Sequence, residues 1–265
     1  MIFRKFLMRD NIGCGSVCSV FRSPCTIFAH KIGWMWNLSC LNSITIYCLM
    51  KKLESILAEK LLKISAIKLQ PDNPFTWSSG WNSPIYTDNR KTLSYPETRS
   101  FLKVEMSRLI IENFPDAEVV AGVATGAIAL GALVADTLGK PYIYVRSSPK
   151  DHGLENLIEG NLKPGQKVVV IEDLVSTGGS SLKAVEAVRN AGAEVVGMLA
   201  IFTYQFPLAE ENFKKAGVKL LTLGNYTAML DAALKINYIK EADLETLKLW
   251  RQDPENWTPT ATIDE

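Results

Sequence analysis

Continuous apolar strands alternating with amphipathic helices place this chain in the α/β class, with a mostly parallel sheet flanked by helices on both faces. Three observations carry that prediction. The segments 118–123, 142–145, 167–171 and 194–203 are apolar almost throughout rather than alternating, as strands buried on both faces are. Helical patterns of 11 and 12 residues, at 181–191 and 127–138, fill two of the three gaps between them. Gly-Lys-Pro at 139–141 and Gly192 supply stop signals where those helices should end.

Taken in order, Leu53, Ile56, Leu57, Leu61 and Leu62 recur at helical spacing, which predicts a helix over 51–66. Residues 68–100 hold four prolines, several aromatics and many Ser and Asn, and read as irregular structure with short strands. A helix follows from Glu97 to Asn113, then a strand over 118–123 and a helix from Ala127 to Leu138. Strands at 142–145 and 167–171 come next, then a helix from Ser181 to Ala191 and the strand Glu194–Thr203. Helices at 208–216 and 225–236 bracket a strand at 218–221, and a last helix spans 240–251. Residues 252–265 read as frayed, with 259–265 outside the domain. Ligands of such sheets bind beyond the carboxyl ends of the strands. Chemistry is therefore expected just after Val123, Val145, Ile171 and Thr203.

Composition narrows the class. Of 265 residues, 47% are hydrophobic and 22% charged, enough for one large core, and the net charge of +1 offers no basic surface for nucleic acid. All five cysteines lie at or before Cys48, so the domain that follows has no disulfide framework and suits a reducing, cytoplasmic setting. Residues 1–49 show no clean period. Their longest apolar stretch, 43–50, is far short of the ~20 residues of a membrane span. Met50-Lys51-Lys52 reads as a natural start, and residues 1–49 are expected to be a poorly packed extension without a functional part. The domain proper is placed at 50–258, with a small N-terminal hood at about 68–100 and a core at about 115–225.

The decisive segment, 168–180, reads VVVIEDLVSTGGS. An apolar strand runs out to two carboxylates, Glu172 and Asp173, followed by Leu174 and Val175; then come Ser176, Thr177, Gly178, Gly179 and Ser180, and a helix begins. Glycines let backbone N–H groups converge without a Cβ in the way, and with the hydroxyls and the positive helix end they make an anion pocket suited to phosphate. Ionised carboxylates only accept hydrogen bonds, so they suit a neighbour rich in hydroxyls. Phosphate beside a diol is ribose 5-phosphate. A plain strand-to-helix turn explains the glycines and caps but not two adjacent carboxylates at a buried strand end, which are costly to desolvate. No Gly-Lys-Ser/Thr of a P-loop and no G-x-G-x-x-G is present in the segment.

This segment closely resembles the signature of type I phosphoribosyltransferases, which bind phosphoribosyl pyrophosphate (PRPP), and the likeness extends over nearly all of 50–258. Within that family the chain looks like the orotate phosphoribosyltransferases. Residues 75–90 (FTWSSGWNSPIYTDNR) resemble their base-binding hood, and 144–153 (YVRSSPKDHG) their mobile catalytic loop. The resemblance implies the type I phosphoribosyltransferase fold and Mg²⁺-dependent transfer of ribose 5-phosphate from PRPP to orotate. It implies PRPP contacts from Arg146, Lys150, His152 and residues 172–180, and catalytic roles for Arg146, Lys150, His152, Glu172 and Asp173. It also implies a homodimer in which the loop reaches the neighbouring site. From spacing alone, the stretch 146–165 fits a lid and a solvated charged loop equally well, since Asp151, Glu155 and Glu159 offset its cations. AGVATGA at 121–127 fits both a pyrophosphate contact, which the family position implies, and close strand–helix packing.

Some members of the family carry cations where Ser78, Thr125, Ser147 and Tyr204 stand here, which leaves the partner of the orotate carboxylate open. Arg90, helped by Ser176, is the candidate, against a surface ion pair as the plainer role. Mg²⁺ is expected to be held mainly by PRPP and water rather than by a protein cluster. A purine phosphoribosyltransferase and a non-catalytic PRPP sensor on the same fold are the rival readings.

Overall fold

The computed structural model describes residues 38–77, 79–148 and 157–259. The chain divides into two units, Met1–Tyr47 and Cys48–Glu265, and all that follows concerns the second. Most of the expected packing of 1–49 falls on residues outside those described. Helix α1, however, runs Leu38–Lys63, so helical backbone begins well before residue 51. No proline or glycine lies between Leu38 and Lys63 to stop it, and the missing apolar stripe over 38–49 is why the period did not reveal it.

Six strands form the main sheet in the order β10-β9-β8-β5-β6-β7. Strands β5 (Val119–Val123), β6 (Tyr142–Val145), β8 (Lys167–Val175), β9 (Glu194–Thr203) and β10 (Leu220–Asn225) are parallel. The edge strand β7 (Ile158–Glu159) pairs antiparallel with β6. Alternation along β8 feeds two cores. Val169 and Ile171 face the core of α1, α2 (Pro96–Asn113), α3 (Ile128–Leu138), α6 (Tyr226–Lys235) and α7 (Asp243–Gln252). Val168 and Val170 face the core of α4 (Gly179–Asn190) and α5 (Pro207–Ala216). Every residue of β5 is buried, as a strand covered on both faces requires.

The hood is built from two small antiparallel sheets, β1 (Ile67–Leu69) with β4 (Ile85–Thr87) and β2 (Phe75–Thr76) with β3 (Asn82–Ser83). A 3₁₀ turn, Asn89–Ser94, then leads into α2, whose first residue is Pro96. Proline lacks the N–H that a helix start leaves unpaired anyway. Gly139 ends α3 in the left-handed conformation, φ 61°.

Two corrections follow. The central strand does not stop at Ile171; it continues through both acids to Val175. The apolar run ends at Ile171, but the main-chain ladder to β9 does not, pairing Glu172 with Ala200 and Leu174 with Phe202. The stretch after Gln252 is not wholly frayed either, since Trp257 packs against the larger core. Among the described residues, no helix is long and apolar enough to cross a membrane.

Candidate active site

Because Glu172 and Asp173 lie within β8, they leave the strand toward opposite faces. Glu172 turns to α4, is 4% exposed, and accepts a hydrogen bond from Ser181 Oγ at 2.8 Å. Its other oxygen bends back to accept from the Asp173 N–H at 3.0 Å, which keeps the two carboxyls near each other. Asp173 turns to the hood side, where a Cβ on Gly126 would stand 2.0 Å from its Oδ2. Only glycine fits there, so the loop after β5 lies directly against the acid. The Asp173 carbonyl accepts from Asn89 Nδ2 at 2.7 Å.

Burial, and then the charge of Asp173, push the Glu172 carboxyl up to about 8. Burial also raises Asp173, opposed by hydrogen bonds from Glu172, from its own N–H and that of Leu174, and by the Arg90 charge. Burial and the closeness of the two carboxyls disfavour ionising both at once, so the pair holds a proton to higher pH than ordinary carboxylic acids do. Asp173 forms no close ion pair among the described residues.

The phosphate turn follows. Gly178 sits at φ +84°, and an added Cβ there would meet the Phe213 ring at 2.9 Å. It caps α4 with no side-chain hydrogen bond, so the first helical N–H groups lack an internal partner. Gly179 faces open space, with nothing closer than Thr177 Oγ1 at 3.9 Å. Asn212 Nδ2 donates to the Thr177 carbonyl at 3.0 Å, tying the turn to α5.

Beside the turn lies a cavity of about 500 Å³. Its walls are the hood residues Trp77, Trp81 and Tyr86, with Tyr204 from the end of β9, and Leu174, Ser176 and Thr177 close it from the core. The Trp77 and Trp81 rings are roughly parallel, 6.5 Å apart. A flat, partly polar ligand suits such a slot.

The predicted residues divide into three sets. Residues 172–180 form one continuous strand-end and turn, with Glu172 and Val175 buried and Ser176 and Thr177 at both the glycine turn and the cavity. Arg146 leaves the end of β6, and its Nη1 lies 3.5 Å from Glu159 Oε1. Lys150 and His152 fall within 149–156, outside the described residues. Arg90 stands apart from the cavity walls; its Nε donates to Asp88 Oδ1 at 2.7 Å and its side chain is 60% exposed. Ser181, Asn89, Trp77, Trp81 and Tyr204 were not singled out from the sequence as site residues. The signal for Tyr204 was there, since it directly follows the strand ending at Thr203, and both tryptophans fall inside the hood segment.

An acid pair and a glycine turn at the end of a central parallel strand define a protein that grips a phosphorylated sugar. The family model described as the phosphoribosyl transferase domain matches residues 104–224. Orotate phosphoribosyltransferase of Bacteroides thetaiotaomicron is 67% identical over 208 residues, covering 78% of this chain and 98% of that protein. Its counterpart in Cytophaga hutchinsonii is 54% identical, covering 76% and 96%. Among solved structures, orotate phosphoribosyltransferase from Aeropyrum pernix aligns with a TM-score of 0.61 at 30% identity, covering 69% of this chain and 99% of that one. The Mycobacterium tuberculosis enzyme, crystallised with PRPP, aligns at 0.53 and 27%, covering 67% and 98%. The chain belongs to the orotate phosphoribosyltransferase family.

Proposed function

We propose that this chain transfers ribose 5-phosphate from PRPP to orotate, giving orotidine 5'-phosphate and pyrophosphate in pyrimidine synthesis. The observation that carries the reading is one continuous surface. The glycine turn at 176–180 follows directly on the acids at 172 and 173, and its Ser176 and Thr177 also wall the aromatic slot, so groups suited to phosphate, ribose and base adjoin.

In this reading the N–H groups from Thr177 to Ser180 and their hydroxyls hold the sugar's terminal phosphate. Asp173, ionised, accepts from the ribose hydroxyls, and Glu172, held by Ser181, supports it from the other face by accepting from the Asp173 N–H. Pyrophosphate leaves the anomeric carbon as the base nitrogen arrives opposite, and positive charge grows on the ring. Positioning and charge stabilisation then matter more than proton transfer. Arg146, Lys150 and His152 neutralise the departing pyrophosphate, and the loop after β5, pressed on Asp173 at Gly126, offers it main-chain donors. The slot holds orotate between Trp77 and its neighbours with Ser176 at its edge, and Arg90 stays the candidate for the carboxylate, turning from Asp88 to reach it.

Mg²⁺ fits this donor set as a metal brought by the substrate. Among the described residues no three ligating side chains gather, yet Mg²⁺ needs only one or two carboxylates besides phosphate oxygens and water. Held mainly by substrate oxygens and water, with Asp173 as the nearest carboxylate of the site, it would supply positive charge that neutralises the diphosphate. A homodimer sharing the 146–165 loop, and a cytoplasmic setting for the cysteine-free domain 50–258, belong to the same reading.

The test is to mix protein, Mg²⁺, PRPP and each candidate base and to follow base consumption. Orotate consumption is the expected result. Consumption of a purine instead, or PRPP binding without turnover, overturns the reading.

A further inference from the structure

Two walls of the base cavity, Trp77 and Tyr204, lean on a residue far from them in sequence. Trp250 of α7 has no exposed surface. Its ring meets Trp77 edge-on at 5.6 Å and Tyr204 edge-on at 5.6 Å. Phe206 and Tyr226 back it, each at 5.4 Å. Its indole N–H donates to the Asn82 carbonyl of the hood strand β3 at 3.2 Å. Trp77 is held a second time by its own N–H, which donates to the Ile85 carbonyl at 3.1 Å. The C-terminal helix is thus joined through one side chain to the hood, to the end of β9 and to two of the rings that face the cavity.

We propose that Trp250 is a positioning residue for the base: acting through Trp77 and Tyr204, it fixes the width and tilt of the slot that receives the flat ring. Edge-to-face contacts between aromatic rings have defined geometry, and a close-packed interior passes a change of shape to its neighbours. A smaller or rounder side chain at 250 lets Trp77 tilt and the hood strand lose its anchor. Trp250 itself touches neither substrate nor the reacting atoms. The phosphate turn and the acid pair lie on other elements, so the effect falls on the base and spares PRPP.

The inference rests on the reading of this cavity as the base site. It is tested by steady-state kinetics on Trp250→Leu, with Trp250→Phe as the conservative variant and Leu247→Ala as the control. Leu247 is equally buried in the same helix; its main-chain carbonyl accepts from the Tyr226 hydroxyl, a contact that alanine keeps. Trp250→Leu is expected to raise the KM for orotate about tenfold while the KM for PRPP moves less than about twofold. Trp250→Phe keeps a ring and should stay within about threefold of wild type for orotate. Leu247→Ala should lower the melting temperature and leave both KM values in place. An unchanged orotate KM in folded Trp250→Leu overturns the inference, as does an equal rise in Leu247→Ala. If Trp250→Leu does not fold, the bulkier ringless Trp250→Met takes its place: a selective rise for orotate supports the inference and an unchanged value overturns it. A wild-type protein that leaves orotate unconsumed removes the functional reading, and this inference with it. Normal wild-type turnover with an indifferent residue 250 removes this inference alone.

Discussion

At the scale of single residues, the acid pair sets the sharpest expectations. An acid whose pKa is raised on folding keeps its proton to higher pH than it would in the unfolded chain. Between the ordinary 4.5 and about 8 the folded state therefore binds more protons at Glu172, and stability falls as pH rises through that window. Burial of Asp173 acts in the same direction. The ligand-free melting temperature should drop from about pH 5 to about pH 8 in wild type and drop less in Glu172→Gln. Equal drops in both would show that Glu172 is not the strained acid. Asp173→Asn removes the ionised acceptor nearest the sugar and should lower kcat about 10²-fold with little change in melting temperature. Near-normal turnover would remove Asp173 from the mechanism. Asn89 was invisible from the sequence in this respect. It lies 84 positions from Asp173, and only the fold shows its amide on the Asp173 carbonyl, with its own Oδ1 lacking a partner among the described residues.

At the scale of elements, the turn into α4 is the part the sequence expressed most fully. Its glycines were predicted to open the main chain, and Gly178 in the left-handed region against Phe213 shows why one of them admits no side chain. Gly178→Ala should cost about 1–2 kcal/mol in strain and raise the KM for PRPP. Thermal melts and PRPP titration check this, and an unperturbed KM would detach the turn from phosphate. The end of β8 was misjudged because hydrophobicity falls at Glu172 while the ladder continues, and side-chain pattern does not report main-chain pairing. The two-residue strands β2, β3 and β7 carry no legible period at all. The aromatic cluster behind the cavity joins residues 77, 204 and 250, a contact between distant segments that no local pattern contains.

At the scale of the whole molecule, the parallel sheet and its helices were readable because continuous apolar strands need cover on both faces, and the two cores provide it. In the homodimer proposed for this chain, the two sites are coupled through the loop 146–165. If that loop serves the neighbouring site of a homodimer, Lys150→Ala and Asp173→Asn damage different halves of each site. Mixed and allowed to exchange subunits, the two poorly active variants should recover about a quarter of wild-type activity, because half the dimers are mixed and each holds one intact site. No recovery would confine the loop to its own subunit.

The central claim is that the amides at Thr177–Ser180 hold the sugar's phosphate while Asp173, backed by Glu172, holds its hydroxyls. A crystal structure with PRPP and Mg²⁺ tests it most directly. The account predicts the 5-phosphate within hydrogen-bond distance of those amides and a ribose hydroxyl on Asp173. A phosphate seated elsewhere, or a ribose turned away from Asp173, would contradict it.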